Sequence, residues 1–389
     1  MANDIRTAED DWRELEEAAM LPDIHAEPGP DDPDFLAGEP SITAAAPDLS
    51  SVRWPADDRN APDYAYVASE PDPDSFRLTG ETVETLLRLN RYAPDRSSGA
   101  IALAIRGAVL GSGNEVEGAS AIDLENVRPD HRNFHCVLGF YFPGTGKLNL
   151  YSGSTVPCRK AVWGFANGGT AANMLPTGLH TYYVWRHKTL RPALRLAKSS
   201  QEPEEGARAA VLRTKNDTIY GTQDKFDVSF PLDNVHCSYF LTENSDLGAA
   251  FSSWGCLTVR GEKTPSHQWK KFQAVLSGLG AKKRVDLLLA TGKDLALVAD
   301  GQGNPAALER RLSALRRGSR GEEVKRLQAR LGFTGNAVDG AFGPDTVARL
   351  AEVQRQINQE NGKGPVADGI YSREMDAITG WGVFESAVA

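Results

Sequence analysis

The 389-residue chain is poor in cysteine, methionine and histidine, with four, four and seven of each. Four cysteines in a chain of this length fall far short of a disulfide-stapled scaffold, so Cys136, Cys158, Cys237 and Cys256 are expected as free thiols. No run of about twenty apolar residues occurs, so no membrane-spanning helix is expected. The first residues, Met-Ala-Asn-Asp-Ile-Arg, are not a basic start followed by an apolar core, so no secretory leader is expected. No nucleic-acid recognition motif is present, and nucleic acid is not an expected partner.

What is present begins with a charge asymmetry. Residues 1–75 hold 20 Asp and Glu against 4 Arg, a balance of −16, and ten of the 22 prolines. The whole chain is at −9, so the remainder is at +7 by difference. Such a segment buries too little apolar surface to offset its ordering entropy, and a largely disordered arm is expected over 1–75. Within it, Ile5, Trp12, Leu15 and Ala19 share one side of a helix expected over Thr7–Met20. That helix suits docking to a partner or an export machine. Phe35, Trp54, Tyr64 and Tyr66 are the arm's aromatic anchors, should it lie across a folded domain.

Residues 76–300 read as β-rich. A helix is expected over Glu81–Leu89, then strands at Ile101–Ile105, Cys136–Phe142, Lys147–Tyr151, Thr181–Trp185, Arg284–Leu289 and Asp294–Val298. Pro265–Leu279 is expected as a helix with Trp269, Phe272, Val275, Leu276 and Leu279 on one face. Residues 301–307 read as a linker. Beyond it, Glu322–Leu331 and Asp345–Ile357 are amphipathic helices, and Val338–Thr346 is echoed by Ala367–Met375 as a short internal repeat. The first of these helices and the turn before it are basic, with Arg316, Arg317, Arg320, Lys325 and Arg326.

The chemistry centres on His236 and Cys256, twenty residues apart. Cysteine catalysis needs a thiolate and a base brought together by the fold. Gly255 permits close backbone approach, and Leu257-Thr-Val259 reads as a strand that would hold Cys256 at its start. The pattern His236 … Ser253-Trp254-Gly255-Cys256 resembles the signature of L,D-transpeptidases with a YkuD-type domain, in which a histidine precedes Ser/Thr-His-Gly-Cys. Trp254 stands where that family has its second histidine. The resemblance implies Cys256 as nucleophile, His236 as base and the Cys237 carbonyl orienting the imidazole. Ser253 is expected to steady the loop, and Trp254, which departs from the family and cannot act as a base, is expected to wall the pocket. Arg213 is the preferred partner for a substrate carboxylate, since a guanidinium binds one through two parallel hydrogen bonds.

Residues 315–379 are similar to the three-helix peptidoglycan-binding domain, through Leu315–Phe333 and Asp339-Gly-Ala-Phe-Gly-Pro-Asp-Thr346. Gln354 and Arg355 stand where that family favours Phe-Gln. Asp339, Gly340 and Phe342 are the residues this likeness marks for ligand binding. The expectation is thus a multidomain α+β protein: an arm (1–75), a β-rich YkuD-like catalytic domain (76–300), a linker (301–307) and an all-α peptidoglycan-binding domain (308–380). Peptidoglycan is the implied substrate, with no cofactor. Action at the cell wall would follow non-classical delivery. Two other readings stand beside it: a non-catalytic wall-anchoring component of a phage or contractile injection apparatus, and a zinc hydrolase using His131 and His135, which lie four residues apart.

Overall fold

The computed structural model describes residues 48–168, 172–187, 190–214, 218–221, 224–238, 248–261, 267–361 and 367–384. The helix expected over residues 7–20 lies outside them. After short 3-10 turns between Leu49 and Val67 the chain forms β1 (Ser75–Thr79), α1 (Gly80–Leu89), β2 (Ile101–Arg106), β3 (Ala108–Leu110), β4 (Val116–Ala119), β5 (Ala121–Asn126), β6 (Cys136–Phe142) and β7 (Lys147–Ser154). There follow α2 (Arg159–Ala166), β8 (Gly178–His187), β9 (Leu190–Arg195), β10 (Ala209–Arg213), β11 (Lys225–Ser229), β12 (Val235–Cys237), β13 (Leu257–Val259), α3 (Gln268–Leu279) and β14 (Arg284–Thr291). The last part holds α4 (Gly292–Gly301), α5 (Pro305–Leu312), β15 (Ala314–Leu315), α6 (Glu322–Arg330), α7 (Pro344–Asn361), β16 (Tyr371–Ser372) and α8 (Arg373–Thr379).

The fold is mixed α+β around one large sheet of order β13-β12-β9-β8-β14-β2-β6-β7-β4. β13 also pairs with β7, through Thr258 opposite Ser154 and Val259 opposite Gly153, so eight strands close into a ring. Closure removes the open edges that a free sheet would expose. It depends on Gly153: a Cβ there would stand 2.2 Å from the Thr258 carbonyl oxygen. β2 explains how the two faces are filled. Its Ile101, Leu103 and Ile105 meet Leu86, Leu295 and Leu308 of the outer helices, while Ala102 and Ala104 face the interior with Phe140, Tyr182 and Leu287. Period-two alternation of large and small residues thus sorts one strand between two cores.

Three expectations are corrected. Asp294–Val298 is helical, inside α4, because Thr291 and Asp294 form a reciprocal capping box that starts a helix. Residues 301–307 are no linker. Asn304 caps α5 through the Ala307 N–H at 3.1 Å, and Leu308 is buried in the core. The arm does not extend to residue 75, since Val52, Trp54, Tyr64 and Val67 are all buried. The aromatic side chains and Val/Ala positions of 52–67 find an apolar partner surface, which outweighs the acidic composition around them.

One buried polar network ties these segments together. Arg106 donates to Asp63, to Thr155 Oγ1 and carbonyl (both 3.1 Å) and to the Leu175 carbonyl (2.9 Å). Asp63 accepts from the Thr177 N–H and hydroxyl at 2.9 and 2.8 Å. Thr177 Oγ1 in turn accepts from Arg316 Nη1 at 3.0 Å. Arg316 also reaches Asn90 Oδ1 (2.7 Å), Asp294 Oδ2 (3.1 Å) and the Tyr66 hydroxyl (2.5 Å), and Tyr66 donates to Asp294. Removing one member of a buried ion pair strands the other, which costs about 3–5 kcal/mol. Arg316→Met is therefore expected to lower the unfolding free energy by about that amount, read from the urea midpoint. A shift worth under about 1 kcal/mol would show that Asp294 finds other partners.

Candidate active site

Two three-residue strands carry the site. β12 and β13 are parallel, with Val235, His236 and Cys237 opposite Leu257, Thr258 and Val259. Val235, Leu257 and Val259 are completely buried in the interior core, so alternation puts His236 on the opposite face. Cys256 stands one residue ahead of β13 and is partly exposed.

His236 Nδ1 lies 2.6 Å from the Cys237 carbonyl oxygen. A carbonyl only accepts, so Nδ1 carries the hydrogen and Nε2 the lone pair. One ligating atom each of His187, His236 and Cys256 lie within 4.8 Å of one another. The sulfur also faces two backbone groups: the Asn234 N–H at 3.4 Å and the Leu232 carbonyl at 3.6 Å. The carbonyl accepts from a thiol, and the N–H favours a thiolate.

The loop ahead of the cysteine is held from both sides. Ser253 Oγ donates to the Cys256 carbonyl at 2.6 Å and accepts from the Gly255 N–H at 3.1 Å. The Ser253 carbonyl accepts from the Cys158 N–H, and the Trp254 carbonyl from the Asn173 N–H, each at 2.8 Å. A Cβ on Gly255 would stand 2.4 Å from Asp233 Oδ1 and 2.7 Å from Asn173 Cβ, so the loop needs glycine there. Asp233 is buried behind it, with Asn173 Nδ2 at 3.3 Å. Burial pushes its carboxyl up to about 7, against the opposing pull of Asn173 and Arg213.

Sequence reasoning missed His187. Its strand was expected to end at Trp185, but β8 runs on to His187. Its ring stacks on His236 with centroids 4.1 Å apart and planes at 6°. The legible signal was parity: Tyr183, Trp185 and His187 alternate onto one face of β8. The three groups include two imidazoles and a thiol, yet parallel rings do not suit a shared ion. A metal lies close to the plane of each ligating imidazole, and two stacked planes have no common point.

Arg213 ends β10, 3.7 Å from Asp227 and over the Phe165 ring at 5.9 Å, and its charge acts on Asp233. Trp254 is half-buried against the cluster of Val156, Cys158, Val162 and Phe251. The zinc pair is corrected: among the described residues no metal-holding trio includes His131 or His135. His131 is buried, bonded to the Pro157 carbonyl at 2.7 Å, stacked on Tyr220 and pushed down to about 4 by burial. His135 is bonded instead to the Arg128 carbonyl at 3.0 Å.

The internal repeat proves to be a side-chain clamp. Gln328 Nε2 donates to Asp339 Oδ1 (2.8 Å) and the Ala341 carbonyl (3.1 Å), while its Oε1 accepts from the Gly340 N–H (2.9 Å). Gln354 repeats this with Asp368 Oδ1 (3.0 Å), the Ile370 carbonyl (2.9 Å) and the Gly369 N–H (2.9 Å). Gln354 is therefore the counterpart of Gln328. Phe342 is only 1% exposed, so its expected ligand contact is corrected to a core role. Arg316, buried in the network, is likewise withdrawn from the basic surface.

Asp233 generates a pH prediction. A carboxyl raised in the folded state holds its proton more tightly there than in the unfolded chain. Its contribution is thus most favourable below about pH 4 and is lost as pH rises through about 7. Asp233→Asn, which stays neutral, is expected to match the wild type at pH 4 and to melt about 4 °C higher or more at pH 8. Thermal unfolding at the two pH values checks it, and an equal change at both would contradict a titrating Asp233.

The chain matches no protein-family model, no curated protein and no solved structure.

Proposed function

We propose that this protein is a cysteine acyltransferase or hydrolase acting on peptidoglycan stem peptides, in the manner of L,D-transpeptidases. The observation that carries the reading is the meeting of Cys256, one residue ahead of β13, with His236 on the neighbouring β12, with Nδ1 of His236 committed to the Cys237 carbonyl. That arrangement leaves the basic nitrogen as the one able to take the thiol proton.

The steps follow from the groups present. Nε2 of His236 removes the Cys256 proton, and the thiolate is steadied by the Asn234 N–H. The sulfur attacks a stem-peptide carbonyl, forming a C–S bond and a tetrahedral oxyanion. The Cys256 N–H is assigned to that oxyanion, since the Gly255 N–H is already given to Ser253. Collapse breaks the C–N bond, and the imidazolium hands its proton to the departing amine. A second amine then takes the acyl group to make a cross-link, or water takes it to leave a shortened stem. Trp254 accepts no proton and walls the loop side.

The substrate class rests on the likeness of 315–379 to wall-binding domains. This unit sits on the same body as the site: α6 and α7 share a core with Ala210, Phe226 and Val228 of the β10–β11 ribbon. Arg208 adds a two-pronged ion pair to Asp345, at 2.5 and 2.9 Å. Action at the wall then calls for delivery out of the cytoplasm.

The test is mass spectrometry of muropeptides after incubation of purified sacculi with the full chain. Wild type is expected to give shortened or newly cross-linked stems and a thioester adduct on the Cys256 peptide. Cys256→Ala should give neither. His236→Ala should slow turnover by about 10²–10⁴-fold. Product formation by Cys256→Ala at the wild-type rate would overturn the reading.

A further inference from the structure

His187, at the end of β8, brings to the sulfur a group that the steps above leave unused. Its ring lies flat on that of His236, and Asn234 fixes its state. Asn234 Oδ1 accepts the Leu196 N–H at 3.0 Å, which sets the orientation of the amide and turns Nδ2 towards His187 Nδ1, also at 3.0 Å. An amide NH2 only donates, so His187 Nδ1 accepts and the ring's hydrogen sits on Nε2. Protonating Nδ1 would set two donors against each other. His236 has the opposite arrangement, with its hydrogen on Nδ1 facing a carbonyl.

We propose that His187 and Asn234 are positioning residues that direct the Cys256 proton to His236. The inference rests on the reading of Cys256 as nucleophile. Like charges on rings stacked this closely repel, so one ring of the pair takes the proton. Asn234 decides which, by holding His187 neutral. The neutral face of His187 then lies against the His236 imidazolium, a favourable contact for a cation. Asn234 contributes twice, because its own N–H points at the sulfur.

Other charged and titratable groups surround the pair. Arg195 on β9 acts on Cys256 and is held by the Glu204 carbonyl at 2.9 Å. Arg186 on β8 lies at the rim with the Glu204 carboxylate, at 2.7 Å. Asp233 lies behind the loop, and the Cys237 thiol follows His236. All of them remain in every variant compared below, so they do not produce differences between variants.

The experiment is the rate of Cys256 alkylation by iodoacetamide in the full chain from pH 5 to 9, located by peptide mass mapping. The other three cysteines are buried. Wild type is compared with His187→Phe, His187→Ala and Asn234→Asp, with circular dichroism to confirm folding. Wild type is expected to stay reactive well below pH 7. His187→Phe keeps a flat neutral ring and should remain within about threefold of wild type, whereas His187→Ala should fall on the order of tenfold at pH 6, one pKa unit. Asn234→Asp keeps an acceptor for Leu196 but replaces the donor to His187. It should draw the proton onto His187 and also lose on the order of tenfold at pH 6. Folded His187→Ala and Asn234→Asp variants that match wild type at every pH overturn this inference and leave the proposed function standing. A wild type whose Cys256 titrates as an ordinary exposed thiol overturns both.

Discussion

The constraint on which the rest depends is the buried guanidinium of Arg316. A full charge out of water is tolerated only where its donors are met, and here five contacts meet them: Asn90, Thr177, Asp294, Tyr66 and the face of the Tyr66 ring at 4.7 Å. The partners come from far apart in the chain. Asn90 follows α1, Asp294 caps α4, and Tyr66 lies in the acidic N-terminal part. Through Thr177 the network continues to Asp63 and Arg106, at the end of β2. Burying Arg316 therefore requires the N-terminal segment, the closed sheet and the C-terminal unit to be in place together. This is why boundaries drawn from composition do not survive as boundaries in space.

Closure of the sheet does for the site what this network does for the whole. β12 and β13 have three residues each, too short to be held by their own pairing. They are held because β13 is clasped between β12 and β7, with Gly153 allowing the approach. The loop that carries Cys256 then has little freedom. Ser253 and Trp254 are pinned by Cys158 and Asn173, and Gly255 is pressed on Asp233. A rigid support of this kind holds a thiol and two imidazoles within 4.8 Å of one another without calling on long elements.

The C-terminal unit rests on a smaller device, used twice. In each copy a glutamine one helix away reads the Asp-Gly turn through three hydrogen bonds and so fixes the entry to the next apolar position. In the second copy the Asp368 carboxyl is buried, and burial pushes it up to about 7. The duplication is visible in the residues Asp-Gly. The partner glutamines are not, since Gln328 and Gln354 lie eleven and fourteen positions before Asp339 and Asp368.

The sequence by itself determined what depends on local periodicity and local chemistry. The strands at 101–106, 136–142 and 284–291 and the helices at 322–330 and 344–361 were legible, to within a few residues at their ends, from alternation and capping, and a short motif singled out His236 and Cys256, which the fold brings close together. Tertiary structure alone decided what depends on contacts distant in the chain. The segment 48–67 is packed because a surface exists to receive Trp54 and Tyr64, whatever its charge balance. The run 294–298 is a helix because a capping box outweighs its apolar look. His187 joins the site because β8 passes beside β9 and β9 beside β12, a neighbourhood set by sheet order and invisible to any window along the chain. Local rules fix how each segment is shaped, whereas burial and charge pairing between segments fix where it goes.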